Sequence, residues 1–334
     1  MIWNNVELFN VYETEKRTDG AIKLYRFPKA ARGRFAIEKP NYVADVGNMT
    51  TGCEIRFVTK AADVLISSEY YNGTVEIYRG DFLCRVEHLQ AGVIQRITLR
   101  EDTALDIYPI TTKKRFAPNV WRIVFDHDYC AVIHDIHAFA PIRPPMQSEL
   151  PDKKLLAYGS SITHSAHAIL YTNSYLYTLA RALNVDAMCK GMGGSCFVQK
   201  EVADYIVTED WDVALLELGI NMVDSYPVST FEERATYLVE NMVKTGKPVV
   251  LISNFRSFRN IDGVAYHQEN DDYIACLESI YKKLKQDNLF FIHGKDIVTD
   301  WEYLSADLLH PSPYGHGEIG RKIADTIKNQ FKIL

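Results

Sequence analysis

The chain changes its hydrophobic rhythm once, near residue 145. Before that point apolar and polar residues alternate in short runs: "CEIRFVT" (53–59), "GTVEIYRG" (73–80), "QRITLRE" (95–101) and "VWRIVFDH" (120–127). Successive side chains of a strand point to opposite faces, so period two marks strands with one face buried. Turn residues separate the runs at intervals of roughly 10 to 25 residues, and "CAVIHDIHAFAP" (130–141) reads as a last strand. Residues 1–145 are therefore expected to form an antiparallel β-sandwich of jelly-roll type. "PIRPPMQSELPDKK" (141–154) carries four prolines, which cannot donate to a sheet ladder, and reads as a linker.

From 146 to 334 the rhythm is different. Near-continuous apolar runs alternate with segments of helical period. "LLAY" (155–158) precedes a helix over 174–183, and "VDAMC" (185–189) precedes one over 200–207. "VALLEL" (213–218) leads to 230–246, "PVVLISN" (248–254) to 271–286, and "LFFIH" (289–293) to a last helix near 314–332. Strands apolar along their whole length belong in a sheet covered on both faces, so the pattern predicts a doubly wound parallel α/β sheet. In such sheets ligands bind beyond the carboxyl ends of the strands.

Composition narrows the function. With 334 residues and 47% hydrophobic content the chain can bury large cores. A net charge of −6 without a long basic run argues against nucleic-acid binding. The first twenty residues lack the basic-then-apolar pattern of a signal peptide, and no apolar run is long enough to span a bilayer. A cytoplasmic protein without membrane contact is expected. The six cysteines (53, 84, 130, 189, 196, 276) show no metal-site spacing and are expected to be buried thiols.

The residues able to carry chemistry follow the strand ends of the second half. Ser161 comes after the first strand, Gly191 to Gly194 after the second, and Asn221 after the third; Asp307 and His310 precede the last helix. An alcohol attacks a carbonyl only if a base takes its proton and a third group orients that base, roles open to Ser161, His310 and Asp307. The resulting oxyanion needs fixed donors: the N–H of Ser161 and Gly194 and the Asn221 amide could supply them. Taken singly, each has a plainer reading. Ser161 could be a turn or cap residue, the glycines a flexible connection, Asn221 a turn residue, and His310 with Asp307 a loop closure.

In order, "GSSIT" (159–163), "GMGG" (191–194), "ELGIN" (217–221) and "DLLHP" (307–311) resemble the four blocks of the SGNH hydrolases, the GDSL esterase/lipase superfamily. The resemblance covers roughly 153–334. It implies a flavodoxin-like sheet and ester hydrolysis by Ser161, His310 and Asp307, with Ser161, Gly194 and Asn221 as the oxyanion hole and no metal or other cofactor. Ser160 stands where the GDSL pattern has aspartate; Cys189 and Met222 depart from the usual asparagine and aspartate of their blocks. The preceding sandwich resembles a branch that includes enzymes acting on acylated sugars, so the resemblance implies a small acyl ester as substrate, acetyl foremost, with carbohydrates as candidate alcohols. His164, His167, Arg256 and Arg259 are candidates for substrate contact. Acyl transfer and non-catalytic carbohydrate binding are the competing functions, and homo-oligomerisation stays open.

Overall fold

The computed structural model describes residues 1–38, 46–100, 104–105 and 115–334. Its contacts group into two compact units, one of Met1–Arg32 with Ala44–Asp152 and one of Gly33–Val43 with Lys153–Leu334. Helix α1 (Lys29–Glu38) runs across the first limit.

The first unit holds eleven described strands: β1 (Ile2–Trp3), β2 (Val6–Phe9), β3 (Glu13–Lys16), β4 (Ile22–Tyr25), β5 (Glu54–Val58), β6 (Ala61–Glu69), β7 (Gly73–Arg79), β8 (Phe82–Leu89), β9 (Gln95–Arg100), β10 (Val120–Phe125) and β11 (Cys130–Ala138). They form two antiparallel sheets, ordered β1-β2-β5-β10-β7-β8 and β3-β4-β11-β6-β9. Alternate side chains from both sheets meet in one apolar core, Ile55, Phe57 and Ile123 from one and Val64, Ile66 and Ile133 from the other. This is the sandwich that period two predicts. It also contains strands with no such signal: β3 reads "ETEK", and β8 is exposed or half-buried at every residue but the last.

On β10 every residue is buried, Arg122 included. Its Nε and Nη2 donate to the two oxygens of Glu54 at 2.8 and 2.6 Å, and Arg56 Nε donates to Glu54 Oε2 at 2.8 Å. The proline-rich stretch is fastened to this unit rather than loose. Arg143 donates to both oxygens of Glu149 at 2.7 Å, Asn119 Nδ2 adds a bond at 2.6 Å, and Val58 bridges Arg143.

The second unit contains β12 (Lys154–Gly159), α2 (Tyr175–Leu183), β13 (Asp186–Gly191), α3 (Lys200–Thr208), β14 (Val213–Glu217), α4 (Val228–Val243), β15 (Val249–Ile252), α5 (His267–Leu284), β16 (Leu289–Ile292), α6 (Gly294–Ile297) and α7 (Pro313–Asp325). All five strands are parallel, in the order β13-β12-β14-β15-β16. That is the flavodoxin-like order, and it reverses between β12 and β14, where a crevice opens at the strand ends. Helix α2 packs on α7, and α3 on α4 and α4 on α5, giving two helical layers. Strands β12 and β14 are buried almost throughout, which explains their unbroken apolar sequence.

Helix starts follow local chemistry. Ser174 caps α2 through Tyr177 N, and Ser312 caps α7 through Gly315 N, with Pro313 in the first turn. Cys53, Cys130, Cys189 and Cys196 are buried; contrary to expectation Cys84 is exposed, and Cys276 is half-buried. Among the described residues no helix is long and apolar enough to cross a membrane.

Candidate active site

Strand β12 ends on Gly159 because nothing larger fits. A Cβ there would stand 2.3 Å from Thr163 Oγ1 and 2.7 Å from Glu217 Oε2. The chain then turns tightly, His164 N bonding to Ser160 O and Ala166 N to Ser161 O, and leaves Ser161 at the lip of the crevice. Under this turn lies Glu217, the last residue of β14. Its Oε2 accepts from Ser160 N and Ser160 Oγ, both at 2.7 Å, and from Thr163 Oγ1 at 3.1 Å. Its Oε1 is buried with no hydrogen-bond partner among the described residues. Burial pushes the Glu217 carboxyl up to about 7, against the pull of the Ser160 and Thr163 bonds.

The turn before α7 is closed by a side chain rather than by helix. Asp307 Oδ1 accepts from Leu309 N and His310 N, both at 3.0 Å, while Leu308 adopts a left-handed φ of 51°. Asp307 Oδ2 is then 2.7 Å from His310 Nδ1. Burial opposes ionisation of Asp307, but the bonds from His310 and the two backbone amides outweigh it and hold the carboxyl below its usual value. An ionised carboxylate only accepts, so the proton between them sits on Nδ1, and Nε2 is left as an acceptor. His310 Nε2 lies 2.8 Å from Ser161 Oγ, across 149 residues of sequence. Hydroxyl, imidazole and carboxylate thus form one continuous hydrogen-bonded line.

A cavity of about 480 Å³ opens beside Ser161 and His310. Gly194, Asn221, Asp224 and Arg259 are among the residues that border it. Gly194 has φ +63°, a left-handed conformation that glycine takes without strain. Asn221 Oδ1 accepts from Cys196 N at 3.1 Å, which ties the loop after β13 to the loop after β14 and fixes the orientation of the amide.

The four substrate-contact candidates separate. Arg259 borders the cavity. Arg256 instead donates to Thr299 O at 2.9 Å and lies over the Trp301 ring. His164 is buried and does not border the cavity; its Nδ1 lies 3.4 Å from where a Cβ on Gly193 would stand. His167 is exposed and does not border the cavity; its ring centroid lies 4.9 Å from that of His310 and its Nε2 3.9 Å from Asp307 Oδ2. Among the described residues, His167, Asp307 and His310 form the one group whose ligand atoms, within 4.8 Å of each other, could hold a metal ion. In this structure Asp307 Oδ2 is engaged with His310.

A model described as the GDSL-like lipase/acylhydrolase family matches residues 152–328. The chain belongs to this family. The GDSL-like assignment covers the parallel sheet, and the likeness to solved structures extends over nearly the whole chain. A salicylyl-acyltransferase from a tetracycline biosynthetic pathway superposes with a TM-score of 0.77 at 15% identity, covering 96% of this chain and 93% of that one. A GDSL-like lipase described as putative, from Bacteroides ovatus, gives 0.69 at 17% identity and 99% and 97% coverage. A family two carbohydrate esterase from Cellvibrio japonicus gives 0.66 at 12% identity and 98% and 96% coverage. At such identities the likeness is one of fold. The search of curated proteins found no match.

Two residues of this GDSL-like site escape a reading of the sequence. Glu217 opens the "ELGIN" block, but only the fold shows that it sits beneath the Ser160–Ser161 turn. Asp224 lies three residues beyond Asn221, and nothing in its sequence context points toward the cavity.

Proposed function

We propose that the chain is a serine esterase that removes small acyl groups, acetyl foremost, from carbohydrate alcohols. The observation that carries this reading is the unbroken line from Ser161 Oγ to His310 Nε2 and from His310 Nδ1 to Asp307 Oδ2. His310 Nε2 takes the Ser161 proton as Oγ attacks the ester carbonyl. The oxyanion is met by the N–H groups of Ser161 and Gly194 and by the Asn221 amide. His310 then passes the proton to the departing alcohol, leaving an acyl-enzyme. Water, deprotonated by the same imidazole, releases the acid and restores Ser161. Asp307 keeps the imidazole in the tautomer that both steps need. Residues 146–334 carry this chemistry and 1–145 act as an accessory domain.

The family assignment supports acyl-ester chemistry, and similarity in fold to carbohydrate esterases supports the choice of alcohol. Similarity in fold to the salicylyl-acyltransferase favours a second reading, in which an acceptor alcohol replaces water. Hydrolysis of p-nitrophenyl acetate and of acetylated xylosides tests the first. Activity is expected in the wild type and not in Ser161→Ala, with unchanged circular dichroism. Turnover by Ser161→Ala would refute the nucleophile. Mass analysis of products formed with added sugar acceptors separates transfer from hydrolysis.

A further inference from the structure

Arg259 and Asp224 face the cavity as a loosely joined pair. Arg259 enters from the short turn Phe258–Asn260 after β15 and is only 7% exposed. Its Nη2 reaches Asp224 Oδ2 and its Nη1 reaches Ile220 O, each at 3.3 Å. Both distances exceed the usual 2.7–3.2 Å of an N–H···O bond. Its Nε is buried with no partner among the described residues. A guanidinium presents five N–H groups in a flat fork, so this one is desolvated and under-used. The Asp224 carboxylate beside it is partly open to solvent, its side chain 41% exposed.

The pair constrains what can bind. An apolar group would leave the two charges facing it with only their own long contacts and would displace water from them, a basis for rejection. An anionic group would be drawn to Arg259 but repelled by Asp224 a few ångströms away. A neutral group that both donates and accepts satisfies the two at once, and adjacent hydroxyls do this: one oxygen accepts from the fork while a neighbouring O–H donates to the carboxylate. We infer that Arg259 and Asp224 clamp a pair of vicinal hydroxyls on the alcohol part of the ester. The clamp rests on the esterase reading above and adds a rule to it: the preferred alcohol bears an unsubstituted diol next to the acylated position.

Methyl 4-O-acetyl-β-D-xylopyranoside, which has a free 2,3-diol, and its 2,3-di-O-methyl ether test the rule. The wild type is expected to favour the diol in kcat/KM by about 10–100-fold, the range of a hydrogen bond to a charged group. Asp224→Asn, a near-isosteric change at a partly exposed position, and Arg259→Met should each reduce that preference at least about tenfold, chiefly through KM. A preference equal in variants and wild type, or losses equal on both esters, would overturn the clamp. So would a gain for O-acetylglycolate over the diol ester in Asp224→Asn, which would mark a carboxylate site. Calorimetry with methyl β-D-xylopyranoside in the Ser161→Ala background separates the two levels. Binding lost on adding Arg259→Met, in a protein whose wild type hydrolyses neither ester, would sink the esterase reading and keep the clamp. Absence of binding in Ser161→Ala would sink the clamp.

Discussion

Glu54 in the sandwich and Glu217 in the α/β unit are both almost wholly buried, yet the protein treats them oppositely. Burial works against ionisation in each. At Glu54 the Arg122 and Arg56 guanidiniums overcome it and hold the carboxyl well below its usual range. At Glu217 only hydroxyls and an amide help, and the carboxyl ends up near 7. The difference is the presence of a cation. The sandwich uses a fixed charge cluster to join β5 and β10. The Ser160–Ser161 turn rests on a carboxyl raised to about 7 by burial, with hydroxyl and amide bonds as the only opposing pull.

Breaking each region should therefore fail differently. The largest effect is expected from Asp307→Asn, which leaves the turn in place but favours the wrong His310 tautomer: kcat falls by about 10⁴-fold while the thermal midpoint barely moves. A large loss of stability would instead make Asp307 structural. In the sandwich, Glu54→Gln leaves two guanidiniums without their carboxylate in a dry interior, and should destabilise by about 3–5 kcal/mol in urea unfolding. A change below about 1 kcal/mol would mean that the cluster is solvated or rearranges. Asn221→Ala should lower kcat by about 10²–10³-fold and leave KM for p-nitrophenyl acetate near its starting value; a pure KM effect would remove it from the oxyanion hole.

The smallest effect sharpens the comparison most. Glu217 holds a proton more tightly folded, at about 7, than in a free carboxyl at 4.5. Its contribution to stability is full below about 4.5 and is lost as pH rises through 7. Glu217→Gln cannot ionise. The stability of wild type relative to this variant should fall by roughly 1–3 kcal/mol between pH 5 and pH 8. A flat difference across that interval would contradict the assignment, whereas the same scan on Glu54→Gln is expected to be flat.

Much of this arrangement was legible in residue order, because the chemistry sits at strand ends and strand ends are local events. "GSSIT" and "DLLHP" announce their turns, and the five apolar runs announce the sheet between them. What was hidden depends on neighbours far apart in sequence. Strand β3 is polar and is a strand because β4 pairs with it. Arg256 and Arg259 sit in one loop with similar surroundings in sequence, yet one turns to Thr299 and the other to the cavity. The alternation in β10 points to one wet face, but Arg122 on that strand is buried, bonded to Glu54 and lying against the Phe116 ring.

Asp307 and His310 lie three residues apart, while Ser161, the hydroxyl that His310 bonds, lies 149 residues before His310. On a ribosome the serine therefore emerges long before its partners, and the imidazole and its anchor arrive together, in one short stretch. Until that stretch docks, the serine lacks the imidazole that bonds it in the folded chain. On the proposed esterase reading, a truncated chain lacking it would not turn over esters, however much of the sheet has already formed.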